Sequence, residues 1–154
     1  SKRNHNFKIE YGAIKEFLTK MNINELSLKA VSDAVIAIRQ SKLPDPTQIG
    51  NAGSFFKNPT ITLSQYESLK QKHASMPMFV VDANHVKVPA AWLIEQCGWK
   101  GKTVGHVGVH TQQALVLVNY GHGKGQDILE LATKIKASVA STFDITLHME
   151  VNIV

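Results

Sequence analysis

The chain has 154 residues, 44% of them apolar and 19% charged, the length and balance of about one globular domain, which excludes collagen-like, low-complexity and wholly disordered classes. Seventeen Lys and Arg against twelve Asp and Glu leave a net charge of +5, which favours anionic partners, but the lysines are scattered rather than interleaved with exposed aromatics, so no nucleic-acid surface is expected. The lone Cys97 excludes an internal disulfide and points to a reducing compartment such as the cytoplasm, and no apolar run approaches the ~20 residues that cross a bilayer, so no membrane partner is expected.

The chain starts at Ser1 without Met and has no signal-peptide pattern, which suggests a processed or excised piece. Residues 7–11 read as a short strand closed by Gly12. From Ser27, a plausible N-cap, Leu28, Val31, Val35 and Ile38 recur at helical spacing, and Pro44 ends that helix by Leu43. Pro44-Asp45-Pro46 then leads by a turn into the glycine-rich stretch 50–54. Ser64 and Glu67 fit a capping box for a helix reaching about His73. Residues 78–81 and 86–88 flank the turn-rich tetrad Asp82-Ala83-Asn84-His85 and read as a hairpin. Pro89 at a first helical turn and Gly98 bracket a helix over 90–97.

Residues 103–109 and 114–119 are β-like, and 126–141 is helical, with Ile128, Leu131, Ile135 and Val139 on one stripe. The final stretch alternates Ile145, Leu147, Met149, Val151 and Ile153 with Thr146, His148, Glu150 and Asn152, so a closing strand with Glu150 on its polar face is expected. The fold class is therefore α+β, a mixed sheet packed with helices.

Seven histidines invite a metal, but His106 and His110, the only close pair, lie about 13 Å apart on a strand, so no metal site is expected. The turn 121–125 sits where a phosphate-cradling loop belongs, yet its third glycine falls one position early for a dinucleotide fingerprint and no Walker motif is present. The segment 51–59 is richer, since small residues permit close backbone approach and frame a hydroxyl, two aromatics, a cation and an amide. Composition alone favours a packed loop there, and no adjacent base makes Ser54 a nucleophile.

Read in order, Ile-Arg at 38–39, Lys-Leu-Pro-Asp-Pro at 42–46, Gly-Asn-Ala-Gly-Ser-Phe-Phe-Lys-Asn-Pro at 50–59, Ala-Ala-Trp-Leu-Ile at 90–94, Val-His at 109–110 and Gln-Gln-Ala-Leu-Val-Leu-Val-Asn at 112–119 resemble the C-terminal half of the UDP-N-acetylenolpyruvoylglucosamine reductase (UDP-N-acetylmuramate dehydrogenase) family. The resemblance implies the substrate domain of a larger cytoplasmic flavoenzyme of peptidoglycan precursor synthesis, in which NADPH reduces FAD and the flavin reduces an enolpyruvyl ether. It implies Ser54 as general acid and Glu150 as stabiliser of the intermediate, with Tyr11, Lys42, Asn58, Lys100 and Gln113 holding the UDP-sugar. Residues 1–43 then lead in from a flavin-binding region before Ser1, and 44–154 form the substrate-binding domain with its closing strand. Cofactor-binding residues stay unassigned, and the piece alone is expected neither to hold FAD tightly nor to turn over. One departure stands out: Asn152 occupies the place of an arginine that the family commonly carries two residues after the glutamate. From the residues alone, a non-catalytic phosphate or nucleotide-binding module built on the 121–125 turn is the alternative.

Overall fold

The computed structural model describes Glu16, Thr19 and residues 27–152, with side chains at all but 39–42 of the last span. Two units emerge, Ser1–Pro44 and Asp45–Val154. The expected strand at 7–11 and Tyr11 lie outside the described residues.

In the first unit, α1 spans Leu28–Lys42. Ser27 caps it as the sequence predicts: its Oγ accepts the Ala30 N–H at 3.1 Å and its carbonyl accepts that of Val31 at 3.0 Å, satisfying donors that have no partner inside the helix. The helix stops just before Leu43 and Pro44, where proline bars the preceding residue from helical geometry.

The second unit is built on two antiparallel sheets. The strands β1 (Gly50–Ser54), β5 (Thr103–Val104), β6 (Val107–Val109) and β7 (Val116–Asn119) form one, in the order β1-β7-β6-β5. The other holds β2 (Thr60–Thr62), β3 (Phe79–Val80) and β4 (His85–Lys87), in the order β2-β4-β3. The α+β class holds, while the single mixed sheet resolves into two in which every pairing among the described strands is antiparallel. Short turns join β3 to β4, β5 to β6 and β6 to β7, and a short turn permits no other pairing.

Four helix and strand boundaries differ from expectation. Helix α2 (Leu63–Lys72) is capped by Thr62, not Ser64, its Oγ1 accepting the Gln65 N–H at 3.2 Å; Thr62-Leu63-Ser64-Gln65 carries the same capping signature two residues earlier. Helix α3 (Ala90–Gln96) has Pro89 as its N-cap, not inside its first turn. The β-like run 103–109 is a hairpin turning at Gly105-His106, with Gly105 at φ +60°, a conformation glycine adopts without a steric penalty. The closing strand is reduced to one bridge, Phe56 to Met149, although its alternation survives in burial: Ile145 and Leu147 are buried, and Thr146, His148 and Glu150 are exposed. Side-chain burial, rather than a hydrogen-bonded ladder, holds that segment.

Helix α4 (Gly125–Phe143) lays Leu131, Ala132, Ile135, Val139 and Phe143 against β6 and β7, as the predicted stripe requires. Phe55, Phe56, Leu93, Ile94, Val107, Val109 and Leu117 complete that core. Among the described residues no polar side chain is buried and no helix is long and apolar enough to cross a membrane.

Candidate functional site

Register alone brings a set of polar side chains to one end of the four-stranded sheet. Ser54 ends β1 opposite Val116, which begins β7; β6 ends beside it at Val109, and β5 begins at Thr103 opposite Gly108. The segments leaving that end carry Asn58 after β1, Lys100 before β5 and Gln113 before β7. Three inter-strand spacings separate β1 from β5, a row about 14 Å long.

Glu150 joins from the closing segment. Its N–H donates to the Phe55 carbonyl at 2.9 Å, the Lys57 N–H donates to the His148 carbonyl at 2.9 Å, and Phe56 bridges Met149 between them. Ser54 is thus one step from the residue opposite Glu150, with Cα atoms about 6 Å apart. Both side chains are exposed, Glu150 as the cross-strand partner of Phe55 being one step out of phase with Ser54, whereas Phe55 and Phe56 are buried and pack edge to face at 5.2 Å. Two adjacent aromatics sunk into the core anchor the backbone on which Ser54 stands.

A bulge sets the phase of Ser54. The register passes from Asn51 opposite Val118 to Ser54 opposite Val116, so Ala52 and Gly53 together face Leu117. Gly53 sits at φ +72° with open space around its α-carbon. The Asn51 side chain closes the bend, Oδ1 accepting the Gly53 N–H at 3.0 Å and Nδ2 donating to the Ile49 carbonyl at 2.9 Å. Asn51 was not among the residues singled out from the sequence; the signal for it was the Asn-x-Gly spacing, since asparagine bonds its own backbone two residues on.

Three other expected site residues already have partners. Asn58 Oδ1 accepts the N–H of Ala90 at 2.8 Å, capping α3 from 32 residues away. Pro89 supplies no side-chain cap, so this amide replaces one. Lys100 Nζ lies 2.9 Å from Glu95 Oε1 in a half-exposed pair, next to Trp99, whose ring takes Lys102 Nζ at 4.5 Å. Gln113 shapes the turn into β7, its N–H donating to His110 Nδ1 at 3.2 Å and its carbonyl accepting the Val116 N–H at 3.0 Å. Lys42 ends α1 and its side chain, like the whole of Tyr11, lies outside the described residues.

The 121–125 turn belongs to the opposite end of the sheet and is closed upon itself. Asn119 Oδ1 accepts the N–H groups of Gly121 and Gly123 at 3.0 and 3.1 Å, and Asn119 Nδ2 donates to the Gly123 carbonyl at 2.7 Å. A phosphate cradle presents such N–H groups to the ligand. Here an asparagine consumes them, and a side chain at Gly123 would lie 2.7 Å from Val107 Cγ1. Lys124 heads α4, its N–H donating to Asp127 Oδ2 at 2.7 Å. Nothing in this turn favours the phosphate-module alternative. Among the described residues no group of three or more His, Cys, Asp or Glu is arranged to hold a metal ion.

Comparison with known proteins agrees with this division of the chain. The family model described as UDP-N-acetylenolpyruvoylglucosamine reductase, C-terminal domain, matches residues 45–154, the second structural unit. Curated relatives bearing the name UDP-N-acetylenolpyruvoylglucosamine reductase include one from Flavobacterium johnsoniae, 53% identical over 154 residues, which are 100% of this chain and 46% of the relative. One from Amoebophilus asiaticus is 52% identical over 148 residues, 96% of this chain and 44% of the relative. One from Bacteroides fragilis is 47% identical over 154 residues, again 100% and 46%. The chain therefore spans a little under half the length of the curated relatives it matches.

Proposed function

Because this chain belongs to the UDP-N-acetylenolpyruvoylglucosamine reductase family, matching its C-terminal domain, we propose that it is the substrate-binding portion of a cytoplasmic reductase that converts the enolpyruvyl ether of UDP-N-acetylglucosamine to the lactyl ether, UDP-N-acetylmuramate, for peptidoglycan synthesis. The observation that carries the reading is the row at one sheet end, Lys100 at the β5 side, Gln113 in the turn into β7, and Ser54 with Glu150 at the β1 side, a length comparable to that of an extended nucleotide sugar.

In this reading FAD and NADPH bind in the part of the longer relatives that this chain does not cover, and together they supply the hydride. The chain's own residues receive what remains. Lys100 meets the diphosphate as a compact cation, and Asn58 and Gln113 bond to its oxygens or to the sugar. Addition of hydride to the vinyl carbon leaves an electron pair on the neighbouring carbon, delocalised into the substrate carboxyl group. The Ser54 hydroxyl delivers its proton to that carbon, completing the new C–H bond, and the resulting alkoxide is reprotonated from solvent. Glu150, on the adjoining segment, donates a hydrogen bond in its carboxylic acid form to the substrate carboxyl group where negative charge develops, an interaction that strengthens in the transition state. The positive net charge thereby finds a small anionic partner. Tyr11 and Lys42 are assigned to the sugar nucleotide by the family resemblance alone, and Asn152, where that family commonly carries an arginine, leaves any clamp on the substrate carboxyl group weakened or rebuilt. No affinity for nucleic acid enters.

Ser54→Ala in the full-length protein tests the assignment. Flavin reduction by NADPH is expected at the normal rate, and reoxidation by the enolpyruvyl substrate is expected to slow by about 100-fold or more, the usual range for losing a general acid. Reoxidation at the parental rate refutes the role of Ser54. The separate expectation that residues 1–154 alone do not turn over is tested by mixing them with FAD, NADPH and substrate, where NADPH oxidation would overturn it.

A further inference from the structure

We propose that Asn51 is a positioning residue for Ser54, its side chain fixing the bulge that turns the hydroxyl away from the core and toward the substrate; the inference rests on the reading of Ser54 as proton donor. Cross-strand partners project from the same sheet face. Opposite Val116, Ser54 shares the face of Val116 and Val118, while Phe55, whose N–H donates to the Leu115 carbonyl at 2.8 Å, joins the face of Leu117 and the α4 core. Were the same residues paired without a bulge, the phase would reverse: Ser54 would stand level with Leu115 on the core face, and Phe55 would leave it. A one-residue slip flips every subsequent side chain. The bulge therefore decides both which group is presented and which is buried.

Two features hold that bulge, and both are local. Gly53 permits the left-handed backbone at φ +72°, and Asn51 locks it by accepting the Gly53 N–H at 3.0 Å while tying its own amide to the Ile49 carbonyl at 2.9 Å. Register places Asn51 on the same face as Ser54, one bulge earlier. The locked bend holds a short, flexible hydroxyl in one place before substrate arrives, which is the pre-organisation that proton delivery to a single carbon needs.

The test uses the full-length protein with NADPH and the enolpyruvyl UDP-sugar as probes, following the two flavin half-reactions separately by stopped flow. Asn51→Ala is expected to slow substrate-driven flavin reoxidation by about 10- to 100-fold, the scale of an ångström of misplacement. Half-saturating substrate and the rate of flavin reduction by NADPH are expected to stay within about twofold, because neither uses the Ser54 hydroxyl. Asn51→Asp keeps the Oδ1 acceptor and should recover most of the reoxidation rate. Gly53→Ala, whose added carbon meets no atom within 4 Å, strains only the backbone and should reproduce the selective loss if Asn51→Ala does not fold. Parental reoxidation in Asn51→Ala, equal losses in the Ala and Asp variants, or equal losses in both half-reactions would overturn the inference. Ser54→Ala run alongside separates the two ideas: if it reoxidises normally the reading of Ser54 has failed, whereas if it is slow and Asn51→Ala is not, only the role of Asn51 has failed.

Discussion

Asn58 has one task visible in its hydrogen bonds and a second proposed from the family, and two substitutions separate them. The visible task is to cap α3. Ala90 is fully buried, its N–H has no acceptor within the helix, and Pro89 before it offers no side-chain oxygen; Asn58 Oδ1 meets that N–H at 2.8 Å. Since an N–H needs an oxygen partner, the amide orientation is determined, and Nδ2 is the donor left for the proposed ligand role. Asn58→Ala leaves a buried donor without an acceptor at a helix start, a loss of about 2 kcal/mol. For the unit Asp45–Val154 melting by itself that lowers the melting temperature by roughly 9 °C, and by less where more of the chain melts with it. Asn58→Asp keeps an acceptor oxygen, so its melting temperature should stay within about 2 °C of the parent, yet it replaces the Nδ2 donor with negative charge facing an anionic ligand. UDP-sugar affinity should then fall by about tenfold or more, the equivalent of roughly 1.4 kcal/mol. Calorimetric melting and titration of the full-length protein read the two effects independently. If Asn58→Asp melts as low as Asn58→Ala the capping argument is wrong, and if it binds UDP-sugar like the parent the ligand role is wrong.

Two further outcomes follow from ion pairs. Glu95→Gln frees Lys100 from the carboxylate 2.9 Å away, and because a half-exposed pair is worth about 0.5–1 kcal/mol, UDP-sugar should bind about two- to fivefold more tightly; unchanged or weaker binding by titration calorimetry argues that Lys100 does not serve the ligand. Asp82 is exposed, and its carboxyl is held below its ordinary 3.8 first by the Asn84 N–H and then by His85 Nδ1, so the carboxylate's contribution to the β3–β4 turn is complete above that ordinary value and fades as pH falls through the lowered one. Hydrogen exchange of the Val81 amide, which donates to the His85 carbonyl, should show reduced protection below about pH 4 in the parent but no such pH dependence in Asp82→Asn.

What could be read from the sequence was what the sequence encodes locally. Ser27, the apolar spacing after it and Pro44 bound α1 because a cap, a stripe and a breaker each act within a turn or two of chain. The hairpin at Asp82–His85 and the α4 stripe Leu131, Ile135 and Val139 were legible for the same reason. Thr62 was overlooked as a cap because Ser64 offers an equally good local pattern, and the choice between them falls to β2, whose three residues carry almost no signal of their own. Asn58 as the cap of α3 was beyond any local reading, since donor and acceptor are 32 residues apart. The ordered motifs pointed to Ser54 and Glu150 separately; that the Phe55 carbonyl takes the Glu150 N–H is a fact of tertiary pairing.

The closing segment shows how the site reconciles order with access. An alternating pattern normally specifies a strand, and here it specifies only which residues are buried: Ile145 and Leu147 are sunk in the core, one bridge joins Met149 to Phe56, and the ladder goes no further. A full ladder beyond Phe56 would continue toward Ser54, placing residue 151 opposite it and covering with backbone the flank from which a substrate must come. Ending the pairing at Glu150 leaves Ser54 exposed, while the Glu150 N–H on the Phe55 carbonyl keeps the carboxylate segment adjacent to it. On the other flank β7 pairs with Ser54 fully, so the hydroxyl is braced from one side and open on the other. The bulge at Asn51–Gly53 and the truncated pairing at Glu150 are therefore complementary: the first chooses the face from which Ser54 projects, and the second leaves the backbone edge beside it unpaired.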